Sequence, residues 1–336
     1  MTRLSIALAM QPSRTEHVLP AETLRRLNEL GHLLDPQPLQ SFDDDRARRI
    51  LADTDILITG WGSPYVGREV LAAAPRLRLV AHAAGTVKGI VDEQIFDAGI
   101  AVTHAAEANS VPVAEFTLAA IIFAGKQVFR FRDLYVADRD RDRTHPMQRM
   151  AIGNYRRTVG IVGASRIGRR VIELLRPFEY RILLFDPTVD IAEASSLGTE
   201  KADLPTLMKQ SDIVSLHAPS LPSTRHMIGA EELSLMKDGA TLINTARGAL
   251  IDEAALLKTL GAGRIDAIID VTDPEIPEEA SAFYDLPNVF LTPHIAGAVG
   301  LERGRLGDMA VDEIERFVKG EPLLYQILRR DLALIA

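Results

Sequence analysis

The chain contains no cysteine among its 336 residues. That absence removes disulfides, thiolate nucleophiles and cysteine-ligated metals, and it suits a reducing compartment. Tryptophan occurs once, at position 61, and aromatic residues make up only 5% of the chain. No excess of basic charge exists either, since 38 basic against 46 acidic residues leave a net charge of −8. Nucleic acid and anionic membrane surfaces are therefore not expected partners. Long apolar runs are missing too. Leu4–Met10 and Phe116–Ala124 are both too short for the roughly 20 residues a membrane-spanning helix needs. The first lacks a small-residue cleavage pattern and reads as a strand, and the second reads as a buried helix, so cytoplasm is the expected compartment.

What is present is ordinary globular composition, 47% hydrophobic and 25% charged, at a length that predicts about two domains. From Ser5 to Thr103, short β-type runs at residues 5–9, 56–58, 79–81 and 100–102 alternate with helical patterns at 22–30 and 45–51. That alternation predicts an α/β fold with a parallel sheet covered by helices on both faces. A long helix is expected to start near Val111-Pro112, with Asn109 or Ser110 as its cap. It leads into the run Asp138-Arg139-Asp140-Arg141-Asp142-Arg143, read either as a self-neutralising solvated surface or as an arm for subunit contact. Six further strands are predicted at 158–162, 181–185, 213–216, 241–244, 265–271 and 289–291, a number that matches a doubly wound dinucleotide fold.

The first of these six strands runs into Gly163-Ala164-Ser165-Arg166-Ile167-Gly168, which opens a helix carrying Ile167, Val171, Leu174 and Leu175 on one face. In a G-x-G-x-x-G turn the first glycine bends the chain, the second lets backbone approach a pyrophosphate, and the third packs helix on strand. Here the second glycine is Ser165, whose small hydroxyl can donate to a phosphate oxygen through an adjusted geometry. The next strand ends at Asp186, close to the roughly 20-residue spacing of the acid that accepts from ribose hydroxyls. A carboxylate there repels a 2′-phosphate and favours NAD over NADP; its plain alternative is a loop cap.

Three later segments follow strand ends, where open parallel sheets gather their ligands. They are Asn244-Thr245-Ala246-Arg247-Gly248, Asp270-Val271-Thr272-Asp273-Pro274-Glu275 and Thr292-Pro293-His294-Ile295-Ala296-Gly297. Reducing a 2-oxo acid needs a cation to grip the carboxylate, a proton donor active near neutrality, and a carboxylate beside that donor. Arg247, His294 and Glu275 supply these types. Singly, each has a dull reading as a surface cation, a strand-end histidine and a solvated acid. Together and in order they point to one chemistry.

These segments, with Thr158–Gly168 and Asp212–Pro219, resemble the D-isomer-specific 2-hydroxyacid dehydrogenase family over nearly the whole chain. The resemblance implies an NAD-dependent enzyme with Arg247 on the substrate and Glu275 paired to His294, the acid/base. It implies that Asp270 holds the nicotinamide carboxamide, and that Arg166, Ile167, His217, Thr245 and Ala246 line the cofactor site. It further implies a Rossmann NAD-binding domain, residues 104–295, inserted into a flavodoxin-like substrate domain of residues 1–103 and 296–336. A homodimer with an arm near 125–155 is expected by the same resemblance, and no metal site.

An acid at 275, where formate-oxidising relatives carry an amide, favours hydroxy-acid chemistry. The substrate loop departs from the family's Gly-x-Gly-acid pattern. It reads His82-Ala83-Ala84-Gly85-Thr86-Val87-Lys88, with Ala84, Gly85 and Thr86 as the matching contacts. Gly60-Trp61 stands where relatives that hold phosphorylated substrates carry Arg-Ser, which argues against a phosphate-bearing acid. Trp61 suggests an apolar or aromatic substrate tail, or else structural packing, and Asn109 matches a substrate-contacting asparagine. His217, His82 and His104 are read as cleft-lining or structural, with the structural role favoured for each. Two other functions remain open at this point: an NADH-sensing corepressor-like interaction protein, and oxidation of another small anion such as phosphite within the same enzyme class.

Overall fold

The computed structural model describes residues 3–332; residues 1–2 and 333–336 of the expected substrate domain lie outside the described residues. The chain divides into two compact units, one of residues 1–110 with 298–336, the other of residues 111–297.

In the first unit β1 (Leu4–Ala9), β2 (Gly31–Leu33), β3 (Ile56–Thr59), β4 (Leu79–His82) and β5 (Ala101–His104) form one parallel sheet in the order β2-β1-β3-β4-β5. Side chains alternate across it. Ile6 and Leu8 of β1 pack with Val18, Leu27, Ala310 and Ile314 on one face, whereas Ala7 and Ala9 pack with Ala47, Leu51 and Val70 on the other. The segment after residue 298 belongs to this unit: helix Gly304–Lys319 covers the first face, and Ile327 N–H donates to Val102 O at 2.8 Å. Strand β2 was not expected. It has only three residues, begins at a glycine and lies on the sheet edge, so it carries no alternation to read.

The second unit holds β6 (Thr158–Val162), β7 (Arg181–Phe185), β8 (Glu200–Lys201), β9 (Ile213–Leu216), β10 (Thr241–Asn244), β11 (Asp266–Ile269) and β12 (Val289–Leu291), all parallel, in the order β12-β11-β10-β9-β6-β7-β8. The two-residue polar edge strand β8 is the addition to the six predicted. Val171 and Leu175 of helix Arg166–Leu175 cover one face with Ile121, and Leu207, Leu233 and Leu256 cover the other. Parallel register puts the carboxyl ends of β6, β9, β10, β11 and β12 on one edge.

The long helix runs from Ala106 to Lys126, so it starts well before the expected Val111. Neither Asn109 nor Ser110 caps it. The cap is an imidazole, with His104 Nδ1 accepting from Ala106 N–H at 2.9 Å, and Pro112 lies inside the helix. This helix meets the length and hydropathy of a membrane span, and half of that window is buried.

Glu313 ties the return segment down. It is buried to 1% exposure, and its carboxylate accepts from Leu324 N–H at 3.2 Å and Tyr325 N–H at 3.0 Å. Glu313→Ala leaves both donors without their acceptor and should lower unfolding free energy by about 1–3 kcal/mol, with Glu313→Gln recovering part of it. Equal stability of all three proteins in urea would show that this carboxylate does not anchor the segment.

Candidate active site

The glycine turn is built as its spacing predicts. Gly163 has φ +102°, and a Cβ there would come within 2.6 Å of Ala218 N; one on Gly168 would come within 2.1 Å of Gly163 O. Only glycine satisfies both positions. Ser165 is the N-cap of helix Arg166–Leu175, its hydroxyl accepting from Gly168 N–H at 3.3 Å. A capping hydroxyl still has its own proton to donate, so the departure at this position fits an anion at the helix start. Asp186 closes the turn from the next strand: Oδ2 accepts from Ala164 N–H at 2.7 Å, and Oδ1 from Thr188 N–H and Oγ1 at 2.8 and 2.6 Å. Burial works against its ionisation, but the bonds from Thr188 and Ala164 and the charge of Arg169 hold its pKa below the ordinary carboxylate value.

His217 lies beneath this turn. A Cβ on Gly168 would stand 3.2 Å from His217 Cβ, and the ring's Nε2 pairs with Ser215 Oγ at 2.9 Å. Its Nδ1 is buried without a hydrogen-bond partner. An orphaned buried nitrogen under a cradle that excludes side chains fits a bound dinucleotide.

Arg247 follows β10 on a turn closed by Asn244, whose Nδ2 donates to Arg247 O at 2.9 Å and whose Oδ1 accepts from Ala246 N–H at 3.1 Å. Sequence reasoning gave Asn244 no role of its own, although its place at the head of the Asn-Thr-Ala-Arg-Gly segment was the available signal. Thr245 Oγ1 meets Thr117 Oγ1 at 2.9 Å. Gly248 lets this turn press on the end of β11, since a Cβ there would lie 2.0 Å from Thr272 C. The Arg247 side chain reaches solvent, yet protein crowds the guanidinium enough to lower its pKa, opposed by the charge of Glu275.

Beyond β11 and β12 the two remaining groups meet: His294 Nδ1 is hydrogen-bonded to Glu275 Oε1. His294 has φ +54°, an uncommon conformation for a non-glycine residue. Asp270 imposes it. At 2% exposure its carboxylate accepts from Thr292 Oγ1 (2.6 Å), Ile295 N–H (2.8 Å) and Ala296 N–H (2.9 Å), while His294 N–H donates to Asp270 O at 2.9 Å. Both Asp270 oxygens are thus engaged with the loop that carries the imidazole. Arg166 and Ile167 occupy the first turn of their helix.

The expected substrate residues lie in the first unit. Asn109 stands beside Gly85, where a Cβ would meet Asn109 Nδ2 at 3.5 Å, and its Oδ1 accepts from Ala298 N–H at 3.1 Å. Ala84 is buried, with its carbonyl accepting from Ala105 N–H at 3.0 Å, and Thr86 Oγ1 accepts from Lys88 N–H at 3.2 Å. Trp61 packs within this unit, on the apolar cluster around Met10 and on Leu306 and Met309.

A family model described as D-isomer specific 2-hydroxyacid dehydrogenase, NAD binding domain, matches residues 118–296. A glyoxylate reductase of Korarchaeum cryptofilum is 36% identical over 271 residues, covering 80% of this chain and 81% of that protein. A D-3-phosphoglycerate dehydrogenase of Methanocaldococcus jannaschii is 33% identical over 306 residues, 90% of this chain but only 56% of that protein, so the chain spans little more than half its length. Among solved structures, a D-lactate dehydrogenase with NAD+ from Lactobacillus jensenii superposes with a TM-score of 0.80 at 23% identity, covering 97% of this chain and 100% of the other. The chain belongs to the D-isomer-specific 2-hydroxyacid dehydrogenase family, NAD-dependent oxidoreductases with two parallel-sheet α/β units, and its cofactor is NAD.

Buried neutral histidines give a pH signature. Burial lowers the pKa of His82 to about 4, helped by the charge of nearby His104, and that of His217 to about 3. Both folded values lie below the unfolded one, so the unfolded chain binds more protons as pH falls from about 6.5 towards 4. The stability these histidines contribute is present above that range and is lost on acidification, at up to about 1.4 kcal/mol per pH unit for each. His82→Gln should flatten the fall in melting temperature between pH 6.5 and 4.5; an unchanged slope would mean that His82 is not held neutral.

Proposed function

We propose that the chain reduces a small 2-oxo acid to the D-2-hydroxy acid with NADH, and that the observation carrying this reading is the His294–Glu275 hydrogen bond beside Arg247 at the carboxyl ends of β10, β11 and β12. Gly163, Ser165, Arg166, Ile167, Gly168 and Asp186 bind the dinucleotide, with His217, Thr245, Ala246 and Asp270 lining its site. NAD held by these residues would supply the hydride chemistry at the carbonyl carbon. Arg247 holds the substrate carboxylate and polarises the ketone through its planar fork of donors. Glu275, bonded at Nδ1, fixes the ring and leaves Nε2 as the nitrogen for the substrate. His294 Nε2 then gives its proton to the carbonyl oxygen as that oxygen gains electrons, and the ring is left neutral. In the oxidative direction the same nitrogen takes the hydroxyl proton.

Ala84, Gly85, Thr86, Asn109 and Trp61 bind the rest of the acid. In this reading residues 111–297 form the cofactor domain, residues 1–110 and 298–336 the substrate domain, and the protein works in the cytoplasm. It is a homodimer formed through the arm near 125–155. Support for the dimer comes from Tyr135, Val136, Met150 and Tyr155, which leave 50–62% of their surface exposed on that arm. Beside them a cavity of about 540 Å³, lined by Phe123, Phe129 and Phe290, opens at the amino ends of β10–β12, away from the chemistry.

The test is NADH oxidation against glyoxylate, pyruvate, hydroxypyruvate and phenylpyruvate, with NADPH and phosphite as controls. His294→Gln should lower kcat about 10²–10⁴-fold and Glu275→Gln by less, with NADH affinity retained. Full activity in His294→Gln would remove the acid/base assignment, and NADH binding without turnover of any acid would leave the sensor reading standing. Tyr135→Asp should shift the protein from dimer to monomer in sedimentation velocity; a wild-type monomer would overturn the arm assignment.

A further inference from the structure

The bond between His294 and Glu275 lies in the open, with 46% and 60% of the two side-chain surfaces exposed. A charged pair with that much water around it does little to hold its own geometry. Its alignment must come from the backbone on each side. Asp270 supplies this for His294. Glu275 lies in a stretch, residues 273–276, that is exposed throughout, and Thr272 Oγ1 donates to Glu275 O at 3.1 Å. That bond closes the turn locally and leaves open what ties the turn to the rest of the unit.

The fixed point is Asp273, two residues before Glu275. Gly248 presses on it from the turn after β10, where a Cβ would stand 2.4 Å from Asp273 N. Asp273 N–H donates to Glu253 Oε1 at 2.7 Å, and Asp273 Oδ2 accepts from Arg225 Nη1 at 3.1 Å. Both partners stand on loops that are laid together. His226 N–H donates to Ala249 O, Ile228 N–H to Leu250 O, and Asp252 N–H to Ile228 O. The helix Glu253–Gly261 already has its cap in Asp252, which accepts from Ala255 N–H at 3.1 Å, so Glu253 is not needed for that task. Glu253 is half-buried, and burial raises its pKa, as does the charge of Asp273. The bond from Asp273 N–H and the charge of His226 act the other way. A carboxylate disfavoured by burial and by a like charge is thus matched to one backbone amide at the base of the Glu275 turn.

We propose that Glu253 is a positioning residue for the proton-transfer pair: by holding the Asp273 amide, with Arg225 on the Asp273 carboxylate, it fixes the turn that aims Glu275 at His294 Nδ1. This rests on the reductase reading for the part the pair plays in turnover, but not for the alignment itself. Glu253 acts through the backbone of residues 273–275 and not on the reacting atoms. A misplacement of about 1 Å passed on in this way is enough to slow a reaction by up to about 10²-fold. The ring itself registers the alignment. With Glu275 accepting at Nδ1, the neutral imidazole keeps its proton on that nitrogen and leaves Nε2 bare. Without that acceptor the proton moves to Nε2, the nitrogen that neutral imidazole side chains otherwise prefer.

The experiment pairs kinetics with ring-nitrogen NMR of the full chain carrying isotope-labelled histidine. His294 is identified among the 8 histidines by its loss in His294→Gln. At a pH where the ring is neutral, the wild-type His294 should carry its proton on Nδ1. Glu253→Ala should move that proton towards Nε2 and lower kcat about tenfold, with KM for the acid and for NADH unchanged to within about twofold. Glu253→Gln, whose amide oxygen still accepts from Asp273 N–H, should restore both. Arg225→Ala, at an exposed side chain, should shift the ring the same way by less, and it carries the test if Glu253→Ala does not fold. A tautomer shift in either alanine variant, with no turnover of any acid, would keep the alignment and sink the reductase reading. Wild-type tautomer and kcat in Glu253→Ala would overturn the proposal. So would a lost kcat with the tautomer unchanged, a loss that Glu253→Gln fails to restore, or, with Glu253→Ala unfolded, an unchanged ring in Arg225→Ala.

Discussion

Asp270 is the group on which the candidate site depends. It is a buried carboxylate at the end of β11 whose two oxygens take three donors from the loop after β12. A buried charge is tolerated only when such bonds replace its hydration. The same bonds hold His294 in a left-handed backbone conformation that a solvated loop would leave. Its imidazole therefore meets Glu275 from the neighbouring strand end, and a surface histidine becomes an oriented one. Loss of Asp270 would leave the strands in place and the His294–Glu275 pair without a frame.

The turns around it follow a common rule. Each chemically loaded residue sits just past a parallel strand, and the backbone there is closed by a short polar side chain: Asn244 at Arg247, Ser165 and Asp186 at the glycine turn, Asp270 at His294. These groups satisfy the backbone donors that a strand end leaves bare. Turns closed in this way let the guanidinium, the imidazole and the glycine turn share one edge of the sheet.

Much of this was legible in the residues. β-branched runs at 158–162 and 213–216 and the stripe Ile167, Val171, Leu175 have no other stable reading than buried strands and a sheet-covering helix. That Arg247, Glu275 and His294 all follow strands of one parallel sheet was legible because their three polar segments each come directly after a β-type run. Elements without pattern escaped. β2 and β8 have three and two residues, and their pairing is decided by a neighbouring strand that offers its edge. The start of helix Ala106–Lys126 escaped because its cap is a histidine ring, a group that helix-capping preferences do not single out.

By itself the sequence determined the class: period-two and helical apolar patterns give parallel sheets covered by helices, and the strand-end segments carry the resemblance to a family of NAD-dependent oxidoreductases. What only the tertiary structure decided is how side chains remote in sequence combine. Asp186 turns back to hold Ala164, Asp270 engages the loop of His294, and Arg14 and Arg303 converge on Trp61. The physical reason is that hydrogen bonds and cation–π contacts act over a few ångströms. Nothing in local spacing specifies them until the sheet has brought its strand ends together.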